Sequence, residues 1–208
     1  CGPAASAIGC MRLTGLKNCI VVDMGGTTTD IAVVRSGEPV TAEGGISIGG
    51  CKTFVKGMKI DTIGLGGDTR VYVDIGKIVL DDIRVEPLSM TALKYPEIKD
   101  MMSRAVNRVT FMDSMPPCDY REKEPGEGLS DKEKLILKTI GDGIISAEDL
   151  SKKTDISMYD TAPLRRLISE GVVRKCGVTP TDMMHAAGDF MAYDTEAGKL
   201  AAEYTAMA

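Results

Sequence analysis

The 208-residue chain has no tryptophan, a single histidine (His185) and only 4% aromatic residues. A core without large rings must be built from Ile, Val, Leu, Ala and the 13 Met. No run of 18 apolar residues occurs, so no transmembrane helix is expected. No basic stretch followed by an apolar one marks a secretory leader. The six cysteines never form CxxC, and one histidine cannot complete a Cys2His2 zinc site. Scattered thiols beside apolar residues, such as Cys19 before Ile20-Val21-Val22, read as reduced side chains, which leads us to expect a cytoplasmic protein. Positive charge is not in excess. The 25 Lys and Arg face 30 Asp and Glu, a net charge of -5, which argues against nonspecific nucleic-acid binding. A GxxxxGK[ST] loop is missing, and so is a GxGxxG leading into a helix, which excludes the Walker A and Rossmann phosphate sites.

What is present fits a globular protein: 43% hydrophobic and 26% charged residues. The 23 glycines concentrate between Gly2 and Gly76, in a β-branched first half. The second half is charged and helix-patterned. Pro3 to Leu13 reads as a helix, with proline near its start and Gly15 after its end. Cys19–Val22 and Ile31–Val34 read as two strands of a hairpin around Gly25-Gly26. Val40–Ala42, Ile46–Ile48 and Phe54–Ile63 are strand candidates, and Val71, Val73 and Ile75 open a hairpin with Ile78–Leu80. Pro96–Val109 carries helical spacing. Residues 113–128, with Met115-Pro116-Pro117 and Pro125-Gly126, read as a linker. Ser130 with Glu133 forms a capping box, Ser146 starts a second helix, and Tyr159–Glu170 makes a third before a strand at Val172–Lys175. That outline is winged-helix-like. Residues 129–177 hold nine Lys and Arg against eight Asp and Glu, which is thin for DNA binding. Thr181 is expected to cap a further helix running past His185 to Phe190, and Ala197–Ala206 the last one.

The informative stretch is Val22-Asp23-Met24-Gly25-Gly26-Thr27-Thr28-Thr29-Asp30. Glycines let backbone N–H groups approach a phosphate, and threonine hydroxyls add donors. Asp23 at a strand end would repel phosphate directly, so it makes sense as a partner of Mg²⁺ or its waters. A second glycine loop, Gly64-Leu65-Gly66-Gly67-Asp68-Thr69, either lines the same cleft or serves as a structural turn. His185, among Met183, Met184 and Ala186, reads as a packed residue rather than a catalyst.

Four blocks in order resemble the hydantoinase/oxoprolinase family, within the actin/hexokinase/Hsp70-type ATPases. They are Gly2-Pro3-Ala4-Ala5, Val22–Asp30, Gly44–Gly50 and Thr62–Asp68; Glu86–Met90 is a weak match, and Thr179–Asp182 follows as a last block. The resemblance implies an α/β fold: an RNase H-like, actin-type core over 1–112, a linker over 113–128, a winged-helix-like insertion over 129–178, and helices returning over 179–208. It implies ATP and Mg²⁺ as cofactors, with Asp23 as metal-binding and catalytic residue and Asp68 and Asp182 as further catalytic candidates. Gly25, Gly26, Thr27, Thr28, Gly66 and Gly67 would hold the phosphates. For Asp182, helix propensity alone gives a first-turn carboxylate favoured by the helix dipole. The function implied is ATP-dependent hydrolysis of a cyclic amide such as a hydantoin or 5-oxoproline. The alternative is a non-catalytic ATP-binding switch acting on a partner through the winged unit. Only one phosphate loop is seen, and the chain opens in mid-pattern at Cys1-Gly2-Pro3. It is therefore expected to be part of a longer protein, inactive alone, whose site is completed by the rest of the parent chain or a second subunit.

Overall fold

The structure, a computed structural model, describes residues 2–45, 47–48, 51–52, 57–74, 76–107, 118–156 and 162–207. It is a mixed α/β protein that divides into two compact units, Cys1–Gly67 and Asp68–Ala208.

In the first unit, α1 (Gly2–Thr14) precedes β1 (Cys19–Met24), β2 (Thr29–Arg35), β3 (Glu38–Pro39), β4 (Ser47–Ile48), β5 (Cys51–Lys52) and β6 (Ile60–Ile63). β1 and β2 are antiparallel from Cys19 opposite Val34 to Met24 opposite Thr29. β6 pairs with the other edge of β2, so that Ile63 stands opposite Thr29. Ser36 and Gly37, both at positive φ (53° and 83°), turn the chain from β2 into β3, as a tight hairpin requires. Strand periodicity puts Val21, Ala32 and Val34 on one face, where they pack with Ala7 of α1. The opposite face leaves Ile20 and Val22 exposed.

The second unit opens with the hairpin β7 (Thr69–Asp74) and β8 (Lys77–Arg84). Next come β9 (Glu86–Pro87), α2 (Leu88–Lys94), α3 (Ile98–Val106), β10 (Cys118–Arg121), α4 (Asp131–Ile140), β11 (Ile144–Ser146), α5 (Ala147–Thr154), α6 (Ala162–Ser169), β12 (Val173–Gly177), α7 (Pro180–Ala187) and α8 (Thr195–Met207). One sheet runs β11-β10-β12-β9, with β12 and β9 parallel. Two apolar clusters hold the unit. Leu88, Ile98, Met102, Cys176 and Ala201 form one; Ile136, Ile140, Leu150, Leu167 and Val173 form the other.

Several expectations from sequence are refined. The stretch 113–128 is not all connection: residues 118–121 form β10, the strand between β11 and β12. Cys-Asp-Tyr-Arg alternates over only four residues and follows Pro116-Pro117, too short a pattern to mark a strand against a turn-rich background. α2 has no counterpart among the expected helices, because seven residues give less than two turns of periodicity. The cap of α7 is Thr179, not Thr181. Its hydroxyl accepts from Asp182 N–H, Pro180 occupies the first turn, and Gly188 in left-handed geometry ends the helix before Phe190. The β8 strand extends to Arg84, four residues beyond the expected Leu80. Ile46, Phe54, Ile75, Val109, Met115-Pro116-Pro117 and Tyr159 lie outside the described residues.

Candidate functional site

β1 ends at Met24 and β2 begins at Thr29, so Gly25–Thr28 form the connecting turn. Gly25 N–H donates to the Thr28 carbonyl at 2.9 Å and closes it. That bond uses the Gly25 N–H, so Gly25 shapes the turn rather than offering a donor. Among the described residues, the N–H groups of Gly26, Thr27 and Thr28 have no protein partner. Thr27 is exposed and Thr28 half-buried.

The pairing of β6 with β2 delivers the second glycine loop to this turn. Gly67 N–H donates to the Gly25 carbonyl at 2.9 Å, and the Thr29 hydroxyl donates to the Leu65 carbonyl at 2.6 Å. A Cβ at Gly66 would overlap the Gly26 carbonyl carbon and the Thr27 nitrogen, and would stand 2.5 Å from Gly26 O. The structure therefore brings Gly25, Gly26, Thr27 and Thr28 together with Gly66 and Gly67.

Asp23 and Asp30 stand directly opposite each other on β1 and β2. The Asp30 carboxylate accepts the Thr62 hydroxyl at 2.5 Å. Like charges paired across strands repel, a cost that a cation beside Asp23 would relieve. No group of three or more His, Cys, Asp or Glu side chains suited to a metal ion occurs among the described residues. Magnesium suits such a place: it takes one or two carboxylates and completes its shell with water and phosphate oxygens. Asp23 and the turn fit that chemistry.

The other two aspartates have protein partners in the second unit. Asp68 accepts from Arg84, through Nε at 2.9 Å and Nη2 at 2.7 Å. Asp182 is fully buried. Its carboxylate accepts from Leu88 N–H at 3.3 Å and Ser89 N–H at 2.7 Å. It also accepts from the Thr179 N–H and hydroxyl, both at 2.9 Å. Burial pushes its carboxyl up from the ordinary value, and the donors of Ser89 and Thr179 pull it back. Asp182 thus ties the starts of α2 and α7 together. His185 is buried with both ring nitrogens engaged: Nδ1 meets the Thr181 carbonyl at 2.8 Å and Nε2 accepts from Tyr193 N–H at 3.0 Å.

A residue that sequence reasoning missed is Asp119 on β10. It is wholly buried, both carboxyl oxygens lack a hydrogen-bond partner, and Lys175 Nζ stands 3.9 Å away. Burial pushes its carboxyl up to about 6, with Lys175 acting the other way. No sequence signal marks it, because its burial follows from the non-local pairing of β10 between β11 and β12.

The family model described as hydantoinase/oxoprolinase matches residues 1–160, the turn and both glycine loops included. The chain belongs to the hydantoinase/oxoprolinase family. No curated protein matches it. Among solved structures, one similar chain is that of acetone carboxylase, nucleotide-free, from work titled as the mechanism of ATP-dependent acetone carboxylation. It is 24% identical over 40% of this chain, with a TM-score of 0.34. The present chain spans 12% of that chain's length.

Proposed function

We propose that this member of the hydantoinase/oxoprolinase family supplies the phosphate-holding part of an ATP-dependent enzyme acting on a cyclic amide of the hydantoin or 5-oxoproline kind. The observation that carries this reading is the turn itself: in the turn that follows Asp23 and Met24, the N–H groups of Gly26, Thr27 and Thr28 have no protein partner among the described residues, and Thr27 and Thr28 add two hydroxyls. Backbone donors held in place by glycine geometry stabilise anionic oxygens without reorganising. Bound ATP would supply a phosphoryl group to the ring amide oxygen, which prepares the ring for opening by water. The chain's own part is to orient the phosphates through the turn and to hold Mg²⁺ or its waters at Asp23. The β1-β2-β6 sheet with α1 against one face supports reading the first unit as part of an RNase H-like, actin-type core.

The order α4, β11, α5, α6, β12, with β10 between the two strands, supports reading this part of the second unit as winged-helix-like. The wing strand then precedes the helices in sequence instead of following them. Its near-neutral charge favours a packing or protein-contact role over DNA. No helix among the described residues is long and apolar enough to cross a membrane.

Titration calorimetry of the 208-residue protein with Mg–ATP tests the reading. Asp23→Asn should abolish the magnesium dependence of binding while leaving the circular dichroism spectrum intact. Equal heats from both proteins, with and without magnesium, would refute the role of Asp23.

A further inference from the structure

We infer that Gly66 and Thr29 are positioning residues for the phosphate turn: they lock the Gly26–Thr27 peptide from behind and do not themselves touch the phosphates. The inference rests on the phosphate-turn reading and reassigns Gly66 within it. Three consecutive residues of the second loop grip the turn from Gly25 to Thr29. Leu65 accepts the Thr29 hydroxyl at 2.6 Å, Gly67 N–H donates to the Gly25 carbonyl at 2.9 Å, and Gly66 lies flat against the Gly26–Thr27 peptide with no space for a side chain. Thr29 is buried, and so is Gly66. The Gly66 φ is not in the left-handed region, so the demand for glycine here comes from contact and not from conformation. By contrast, a Cβ at Gly25 would sit 3.5 Å from the Thr28 carbonyl oxygen, an ordinary contact. Of these two, the glycine with the tighter steric requirement is thus the one in the bracing loop.

A turn whose free N–H groups must converge on one anion needs its peptide planes fixed before the anion arrives. The two loops supply that restraint. β6 leads into the bracing loop and is itself registered on β2, so the brace and the turn are anchored to the same sheet.

The probe is magnesium tripolyphosphate, titrated into the 208-residue protein and its variants. Thr29→Val keeps the shape and removes the hydroxyl, leaving the Leu65 carbonyl unpaired. It should weaken binding about two- to tenfold, the range for one lost hydrogen bond, and Thr29→Ser should restore it. Gly66→Ala should weaken binding more than about tenfold, because the Gly26–Thr27 peptide has to shift. In ligand-free protein, the amide resonances of Gly26 and Thr27 should move in Thr29→Val and return in Thr29→Ser, a signature that a general loss of stability does not produce. Thr28→Ala tests the turn directly. If wild type binds and Thr28→Ala weakens it, but Gly66→Ala and Thr29→Val bind as tightly as wild type, the brace is wrong and the phosphate turn stands. If wild type fails to bind, the phosphate turn and the brace fall together.

Discussion

Replacing Asp119 by asparagine tests how the second unit carries a buried acid. The residue sits on the strand between β11 and β12, opposite Ile145 and Lys175, and neither carboxyl oxygen is hydrogen-bonded. α4 also packs on β10, and its one buried charged residue is Glu133, engaged with Ser130 and Arg166. Lys175, at 3.9 Å, is therefore the nearest compensating charge. Burial lifts the carboxyl from 3.8 to about 6 in the folded protein. The folded state then binds more protons than the unfolded state between those values, so stability falls as pH rises through the window. The group's full contribution is present below about pH 4 and gone above about pH 6. Roughly two pH units at about 1.36 kcal/mol each make the loss about 3 kcal/mol. The introduced asparagine does not titrate, and its own burial cost is independent of pH. The measurable quantity is the difference between wild type and Asp119→Asn in the opening free energy of the β10 and β12 amides, from native-state hydrogen exchange between about pH 4 and 7.5. That difference should shift by up to about 3 kcal/mol in favour of the variant as pH rises. A difference that stays flat, or moves in favour of the wild type, would refute the account of an unsatisfied buried carboxylate.

Asp182→Asn should lower the melting temperature, since buried N–H groups of Leu88 and Ser89 lose a charged acceptor; a cost of about 1–3 kcal/mol follows. An unchanged melting curve would show that these bonds do not matter to folding. Gly198→Ala should destabilise by about 1–3 kcal/mol, because a Cβ there would stand 2.6 Å from His185 Cβ where α7 and α8 cross; chemical denaturation checks it. Ser130→Ala should cost about 1 kcal/mol by removing the capping box of α4, and Ser130→Asp should recover most of it. The Glu133 carboxyl is held below its ordinary value first by the Ser130 N–H and next by the Ser130 hydroxyl; Ser130→Ala keeps the N–H and removes the hydroxyl, so the carboxyl should titrate higher in that variant.

Local chemistry wrote much of this fold plainly into the sequence. The capping box at Ser130, the Gly15 and Gly171 stops, and the hairpin around Gly25-Gly26 are short-range signals between residues a few positions apart. The candidate turn was legible for the same reason. What stayed hidden depends on distant residues. β10 is a strand only because β11 and β12, well downstream in the chain, flank it, and Asp119 is buried for that reason. The contact between Gly66 and the Gly26–Thr27 peptide joins two loops far apart in sequence and arises from the register of β6 on β2. Asp182 stands in the first turn of its helix as propensity suggests, yet its reach to Leu88 and Ser89, 94 and 93 residues away, is a tertiary fact.

The central claim is that the Gly25–Thr28 turn receives a phosphate chain beside a magnesium ion at Asp23. Amide resonances of the 208-residue protein, followed while Mg–ATP is added, test it most directly. The account predicts saturable, magnesium-dependent shifts at Gly26, Thr27 and Thr28 that vanish in Asp23→Asn. Saturable shifts confined to other parts of the chain, with those three amides unmoved, would contradict it.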